Sequence, residues 1–180
     1  MNESQFQELG MNNLTPDQAS GLLALLVANQ PSFTCNKHYP ESQKDELKHV
    51  HLYVESESDR SAELAGRLRT QLSAIRDVSL VYSDRDADFV VSVIAMPPHD
   101  TGGRQIGYAA SVVLTQPCVY ISHSGQNKGG QITRLFADHY LNVGPTQDEV
   151  ASTIANTLDA RAFDDIRRYH AAQLSTYENK

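Results

Sequence analysis

The segment Phe89–Ala95, with the sequence FVVSVIA, constrains the fold more than any other part of the chain. Strands near the edge of a sheet alternate apolar and polar residues, whereas this run is almost entirely apolar. It therefore predicts a central strand, with bounds Asp88–Met96, that is covered on both faces. A chain of 180 residues with 40% hydrophobic residues can supply that cover within one domain.

Other elements are predicted on both sides of this strand. Val50–Val54 shows the two-residue period of a strand. A crossover helix should follow it, because apolar residues recur there at helical spacing, namely Leu64, Ala65, Leu68, Leu72 and Ile75. The remaining strands are predicted at Val78–Tyr82, Gln105–Thr115 and Cys118–Ser122, with a hairpin loop at Pro97–Arg104.

Helices are also predicted near both ends of the chain. Thr15 is placed as the N-cap of a helix that runs to about Asn29. Ile132, Leu135, Phe136 and Tyr140 indicate a short helix ending at Gly144. Thr146 and Glu149 form a capping box for one last helix, whose apolar stripe continues to Tyr169.

These elements predict an α+β (α/β) fold: a mixed, mostly antiparallel sheet of four or five strands, with a crossover helix and terminal helices packed on it. The expected organisation is a flexible arm over residues 1–14, a single α/β domain over 15–173 and a loose tail over 174–180. The connection Gln30–Lys48, which contains His38, is long for a structureless loop, and such loops are often functional.

Part of the chain resembles a known type of domain, from about Val50 to Ser122. The resemblance rests on the strand VHLYVES, the helix AELAGRLRTQL, the run DRDADFVVSVIAM and the returning strand GYAASVVLT. In these segments the chain is similar to the small βαβ-meander domains of the TolB amino-terminal and curli-assembly lipoprotein type. The resemblance implies a role in envelope assembly and binding.

Charge and hydropathy narrow the class of partner and the compartment. Fifteen Lys and Arg against twenty-two Asp and Glu give a net charge of -7, which argues against nucleic acid as a partner. The apolar stretch Gly21–Ala28 is far shorter than the roughly 18 residues of a membrane span, and no basic segment precedes it. We therefore expect no membrane span, and a cytoplasmic protein as the sequence stands, or a periplasmic or secreted one if a leader was removed.

The two cysteines, Cys35 and Cys118, are too far apart for a CxxC motif. Two reduced, partly buried thiols are the favoured interpretation, because free cysteine is among the most buried residue types. The alternative is a disulfide that closes a loop of about 80 residues, stabilises the fold by roughly 4 kcal/mol and implies an oxidising compartment.

A glycine-rich segment between a strand and a helix, SHSGQNKGGQIT, is the best candidate for a ligand site. It is not a Walker A loop, because Lys128 precedes glycine instead of Ser or Thr. A mobile polar connection is the simpler interpretation. If a ligand binds, it should be a small anion, and the candidate residues are Ser122, His123, Ser124, Lys128, Gly129 and Gly130.

Two patterns in the sequence are similar to those of metal-binding sites. Asp84, Asp86 and Asp88 alternate like the start of a calcium loop, but the glycine and glutamate that such a loop requires are missing. His49 and His51 share one face of a strand and are weak candidates for metal ligands, although no third ligand is evident. Structural histidines are the simpler interpretation, and we predict no cofactor.

No serine lies in a GxSxG elbow, and neither cysteine has a recognisable catalytic context. The chain is therefore expected to be a non-enzymatic binding or assembly module that acts through a protein partner or a homo-oligomer. The alternative is a small-molecule or anion-binding protein, or an enzyme, that uses the glycine-rich loop 122–131.

Overall fold

The computed structural model describes residues 32–35, 37–121 and 132–179. The chain divides into two compact units. The larger unit comprises Thr34–Val119 with Gln131–Lys180. The helix predicted over residues 15–29, the arm over 1–14 and the glycine-rich loop lie outside the described residues.

The described elements alternate between strands and helical segments as far as β4, and then come two further strands and two helices. The strands are β1 (Ser32–Thr34), β2 (Val50–Ser56), β3 (Val78–Leu80), β4 (Phe89–Ala95), β5 (Tyr108–Ile121) and β6 (Ile132–Gly144). The helices are α1 (Asp59–Ser73), α2 (Gln147–Arg161) and α3 (Phe163–Glu178), together with short 3-10 segments at Glu41–Lys48 and Asp84–Asp86.

Five of the strands lie side by side in the order β6-β5-β4-β2-β3. β2 pairs in parallel with both β3 and β4, with Leu52 opposite Phe89. β4 pairs antiparallel with β5, and β5 pairs antiparallel with β6. The predicted α+β class with a mixed sheet is therefore confirmed, and α1 is the crossover between the parallel strands β2 and β3.

The hydrophobic core lies between one face of this sheet and the helices. β4 is buried over Phe89–Val93, as its apolar sequence predicts. α1 contributes the leucines at 64, 68 and 72, which were predicted as its apolar stripe. The side chain of Thr146 accepts a hydrogen bond from the backbone N–H of Glu149, which confirms the predicted start of α2. The core also contains Leu52, Val54, Val112, Ile154, Leu158 and Phe163.

The helix predicted to end at Gly144 is wrong, because this segment is the strand β6. Its apolar residues imitate helical spacing because a β-bulge interrupts the strand. Leu114 pairs with Asp138, but the next residue, Thr115, pairs with Phe136. The extra residue reverses the alternation of faces, so that Phe136 and Tyr140 lie on opposite sides of the strand.

Two further boundaries differ from the prediction. The strands predicted at Gln105–Thr115 and Cys118–Ser122 are one strand, β5, which continues through Pro117. Proline is accommodated there because β4 pairs with β5 only as far as Thr115. The single last helix is two helices that meet at Ala162, and the segment predicted as a loose tail from residue 174 is helical to Glu178.

Cys35 and Cys118 form a disulfide bond across a sequence separation of 83 residues. This corrects the prediction of two reduced thiols. Because disulfides persist in oxidising compartments, the bond favours such a compartment and gives no support to the predicted cytoplasmic location. Within the described ranges, no helix has both the length and the apolar character needed to cross a membrane.

Candidate functional site

One face of β6 exposes apolar side chains along the edge of the sheet. The register with β5 places alternate residues of β6 on the face opposite the helices, and the bulge at Ala137 shifts the alternation by one. We call these residues the outer row: Arg134, Phe136, His139, Leu141 and Val143.

Three members of the outer row are large and apolar yet remain in contact with solvent. Phe136 is 69% exposed, Leu141 is 64% exposed and Val143 is 71% exposed. Single exposed apolar residues are ordinary, but Leu141 and Val143 are neighbours in one row, and Phe136 lies in the same row beyond His139. Such surfaces on soluble domains mark sites of contact with other molecules.

The apolar surface extends inward across the sheet. Ile94 of β4 lies in the same row of the sheet as Leu141, because both pair with Ser111 of β5. Met96 lies in the next row on the same face, since its N–H donates to the carbonyl of Ala109. Ile94 and Met96 are also exposed. The patch is thus about three strands wide.

The outer row also borders an open strand edge. Among the residues that the structure describes, β6 forms strand pairs with β5 alone. An edge of this kind presents unpaired N–H and C=O groups that can accept a further strand. The outer row contains no carboxylate, although the chain as a whole has a net charge of -7.

The two polar members of the outer row are engaged within the chain. The Arg134 guanidinium donates two hydrogen bonds to Glu55 of β2, at 2.5 and 3.2 Å, and a third to Asp84 at 3.2 Å. The Glu55 and Asp84 carboxylates raise the pKa of Arg134, so its charge is neutralised locally. His139 Nε2 lies 2.8 Å from Ser111 Oγ.

A second group of polar residues is buried beside the first residues of β2 and β4, and we call it the Asp88 cluster: Tyr39, His51, Asp88 and His170. Asp88 is 2% exposed and lies at the entry to β4. The Tyr39 hydroxyl is 3.0 Å from His51 Nδ1, and Asp88 Oδ1 is 3.6 Å from His170 Nε2. The other ring nitrogen of His51, Nε2, lies 2.9 Å from Glu46 Oε2.

The electrostatics of the Asp88 cluster favour the charged forms of Asp88 and His51 and the neutral form of Tyr39. Burial would raise the pKa of Asp88, but the nearby His170 ring and the hydrogen bonds with His51 outweigh burial and keep that pKa below its ordinary value. Burial would lower the pKa of His51, but Asp88 and Glu46 outweigh it and raise that pKa. Burial and the nearby carboxylates raise the pKa of Tyr39.

The Asp88 cluster joins four parts of the chain. Tyr39 precedes the 3-10 segment, His51 lies in β2, Asp88 precedes β4 and His170 lies in α3. α3 is fastened further by Gln173 and Tyr177, whose side chains donate hydrogen bonds to the Tyr39 carbonyl at 2.7 and 2.5 Å. Since its members are buried and face one another, the cluster acts in stability.

Two cavities lie near these features. The larger, of about 390 Å³, is lined by Leu114, Asp138, Arg161 and Ile166 among others, on the helix side of β6. Tyr140 is close in sequence to Ala137 and Asp138, which line this cavity. Burial, and then the Asp138 carboxylate, raise the pKa of Tyr140 to about 12. The second cavity, of about 280 Å³, is lined by His49 and His170.

The sequence-predicted site residues are only partly accounted for. Ser122, His123, Ser124, Lys128, Gly129 and Gly130 lie outside the described residues, so the anion site stays a prediction. His51 is buried in the Asp88 cluster, while His49 borders the smaller cavity. Within the described part of the chain, no three His, Cys, Asp or Glu side chains come together in a set that could hold a metal ion.

The outer row was missed because its segment was interpreted as a helix. One signal was available: Leu141 and Val143 alternate with polar residues, as strand residues do. The bulge at Ala137 concealed that alternation by joining two stretches of opposite phase. The Asp88 cluster carries no local signal, since its members are separated widely in sequence.

No family model matches this chain, and no curated protein matches it. Solved structures that align with it include a minor lipoprotein from Acinetobacter baumannii, at 19% identity and a TM-score of 0.32, over 62% of this chain and 94% of that one. A PelC dodecamer from Paraburkholderia phytofirmans aligns at 15% identity and a TM-score of 0.34, over 72% of this chain and 96% of that one.

An uncharacterized lipoprotein B from Nitrosomonas europaea aligns at 13% identity and a TM-score of 0.24, over 73% of this chain and 79% of that one. The likeness to small lipoprotein domains is therefore loose and partial, like the resemblance in the sequence. At such low identities and TM-scores it indicates nothing about activity or partners.

Proposed function

We propose that this chain is a non-enzymatic protein-binding module that acts through the outer row of β6 and the apolar patch beside it. The observation that carries the proposal is the combination of three exposed apolar side chains with an open strand edge. Added strands obtain affinity from backbone hydrogen bonds and specificity from side chains at alternate positions. The outer row offers both kinds of contact.

The arrangement of titratable groups supports binding over catalysis. The Asp88 cluster is the most strongly buried group of ionisable residues in the described part of the chain, and its members contact one another. His170 lines the smaller cavity, but Tyr39, His51 and Asp88 line neither of the two cavities described above. A general acid or base must reach the proton that it transfers. Buried residues that hold four elements together do not meet that requirement.

The disulfide supports an oxidising compartment for this module. A structural bond between Cys35 and Cys118 is maintained where thiols are oxidised, as in the bacterial periplasm or outside the cell. We place the module in the periplasm or a secreted fraction, where it would act in envelope assembly.

Site-specific photo-crosslinking tests the binding surface. A benzophenone amino acid is introduced at Val143 in the outer row, and as a control at Asn156, which is exposed on α2. Irradiation in cells should give adducts of higher mass from position 143 but not from position 156. Equal adducts from both positions, or none from position 143, would contradict the proposal.

A further inference from the structure

The edge of β6 is divided by its bulge. The residue at which the pairing with β5 shifts, Ala137, bends the strand and disturbs its hydrogen-bonding groups. From Asp138 to Gly144 the register with β5 is regular. These seven residues, about 24 Å long at a strand rise of about 3.4 Å, are the part of the edge that can accept another strand.

The segment Asp138–Gly144 is self-complementary when two copies pair as antiparallel strands. Its midpoint is Leu141. With the axis there, Leu141 lies opposite Leu141 of the second copy, His139 lies opposite Val143, and Tyr140 lies opposite Asn142. Each pair joins residues of the same face, as continuous pleating requires. The outer rows of both copies thereby form one apolar surface.

Neighbouring registers are less favourable. Moving the axis to Tyr140 would bring the bulge at Ala137 into the pairing. Moving it to Asn142 would leave only five residues of each β6 paired, because the strand ends at Gly144. The axis at Leu141 therefore gives the longest regular pairing, and it is isologous, as the interface of a twofold dimer must be.

Charge favours a copy of this chain as the occupant. Of the seven paired residues, the six from His139 to Gly144 include no Asp, Glu, Lys or Arg, and Asp138 at the end lies opposite Gly144 of the second copy. A strongly charged strand would find little counter-charge there, whereas a second copy brings a segment with one terminal carboxylate. Two acidic chains of net charge -7 therefore meet there with little local repulsion.

We infer that two copies of this chain associate by antiparallel pairing of β6 with β6, about a twofold axis at Leu141. The inference rests on the proposed binding surface and specifies its occupant. A seven-residue strand pair is small beside standard interfaces of about 1,600 Å² in total. The dimer should therefore be weak and in equilibrium with the monomer. The outer row is then exposed to solvent in the monomer and partly covered in the dimer.

Sedimentation equilibrium over a wide range of concentration tests this pairing. The mass of the wild-type protein should rise from that of a monomer towards that of a dimer. Leu141→Lys places two ammonium groups across the axis and should keep the protein monomeric. Tyr82→Lys, a fully exposed side chain just after β3 at the opposite edge of the sheet, is the matched control and should dimerise as the wild type does.

A cysteine variant tests the register without relying on loss of association. In Leu141→Cys the new thiols face each other across the axis, and oxidation should give a covalent dimer while Cys35 and Cys118 stay bonded to each other. Phe136→Cys, similarly exposed, should give little covalent dimer. Equal cross-linking of both variants would overturn the register.

The possible outcomes separate this inference from the proposed function. A wild-type protein that stays monomeric at every concentration overturns the pairing of copies. The binding surface would still stand if position 143 cross-links to a different protein. A dimer that Leu141→Lys leaves intact would overturn the β6 interface, whatever the cross-linking result.

Discussion

Asp88 accepts a hydrogen bond from the backbone N–H of His51 through Oδ2, at 2.7 Å, and the same oxygen lies 3.3 Å from Nδ1 of the His51 ring. One carboxylate oxygen thus fixes both the main chain of β2 and the orientation of its histidine. The N–H of Asp88 in turn donates to the His51 carbonyl at 2.7 Å. These contacts secure the start of β4 beside β2.

Replacing Asp88 with Asn should destabilise the fold. The variant loses the negative charge that faces two buried histidines, and removal of one partner from such a group costs about 3 kcal/mol. Urea unfolding at neutral pH, followed by circular dichroism, measures the loss. Asp86→Asn changes an exposed carboxylate of the same turn and should leave the midpoint almost unchanged. An equal loss of stability in both variants would show that the buried Asp88 carboxylate contributes no more than the exposed Asp86 carboxylate.

The stability of the protein should depend on pH at both ends of the range. The pKa of Asp88 is lowered in the folded state, so its contribution is present above the unfolded value of about 3.9 and is lost as the pH falls through the folded pKa. The pKa of His51 is raised, so its contribution is complete below about pH 6.5 and declines as the pH rises through the folded pKa.

Unfolding midpoints measured from acid to mildly alkaline pH check these two slopes. His51→Gln should flatten the alkaline decline and also weaken the acid limb, because the His51 ring helps to lower the pKa of Asp88. His99→Gln, in the loop between β4 and β5, is the control and should retain both limbs. An alkaline slope that is unchanged in His51→Gln would assign the dependence to other groups.

Loss of the disulfide should lower the free energy of unfolding by about 4 kcal/mol, because the bond closes a long loop of the unfolded chain. Chemical unfolding with and without reductant measures this difference in the wild-type protein. The double variant Cys35→Ala, Cys118→Ala should resemble the reduced protein and show no response to reductant. A midpoint that is equal in both redox states would contradict the expectation.

Two glycines should respond to alanine in opposite directions. A Cβ at Gly107 would lie 3.1 Å from the backbone oxygen of Gly144, which cannot move aside easily, so Gly107→Ala should be destabilising. A Cβ at Gly66, inside α1, meets no atom within 4 Å. Gly66→Ala should therefore stabilise the protein by roughly 1 kcal/mol through helix propensity. Thermal unfolding of both variants gives the signs directly.

The parts of the fold that could be predicted are those whose signal is local. β4 is recognisable because both of its faces are buried, and α2 begins where Thr146 and Glu149 form a cap. β6 was misinterpreted because one extra residue, Ala137, changes the phase of its pattern. Sequence periodicity assumes an uninterrupted element, and a bulge breaks that assumption.

The candidate site was less predictable than the fold. Exposure of Leu141 and Val143 depends on which strand lies at the edge of the sheet, and this order is set by long-range pairing. The Asp88 cluster joins residues from Tyr39 to His170, so no window of sequence contains it. The separation of the two cysteines in sequence does not distinguish a disulfide from two reduced thiols.

The Cys35–Cys118 bond has a consequence for how the chain is made. Both cysteines precede β6, α2 and α3, so an oxidant can join them while the last three elements are still being delivered. With only two cysteines in the chain, no incorrect intramolecular pairing exists, and a thiol oxidase suffices without a disulfide isomerase. The native loop from Cys35 to Cys118 can therefore be closed covalently before α3 packs against Tyr39 and completes the fold.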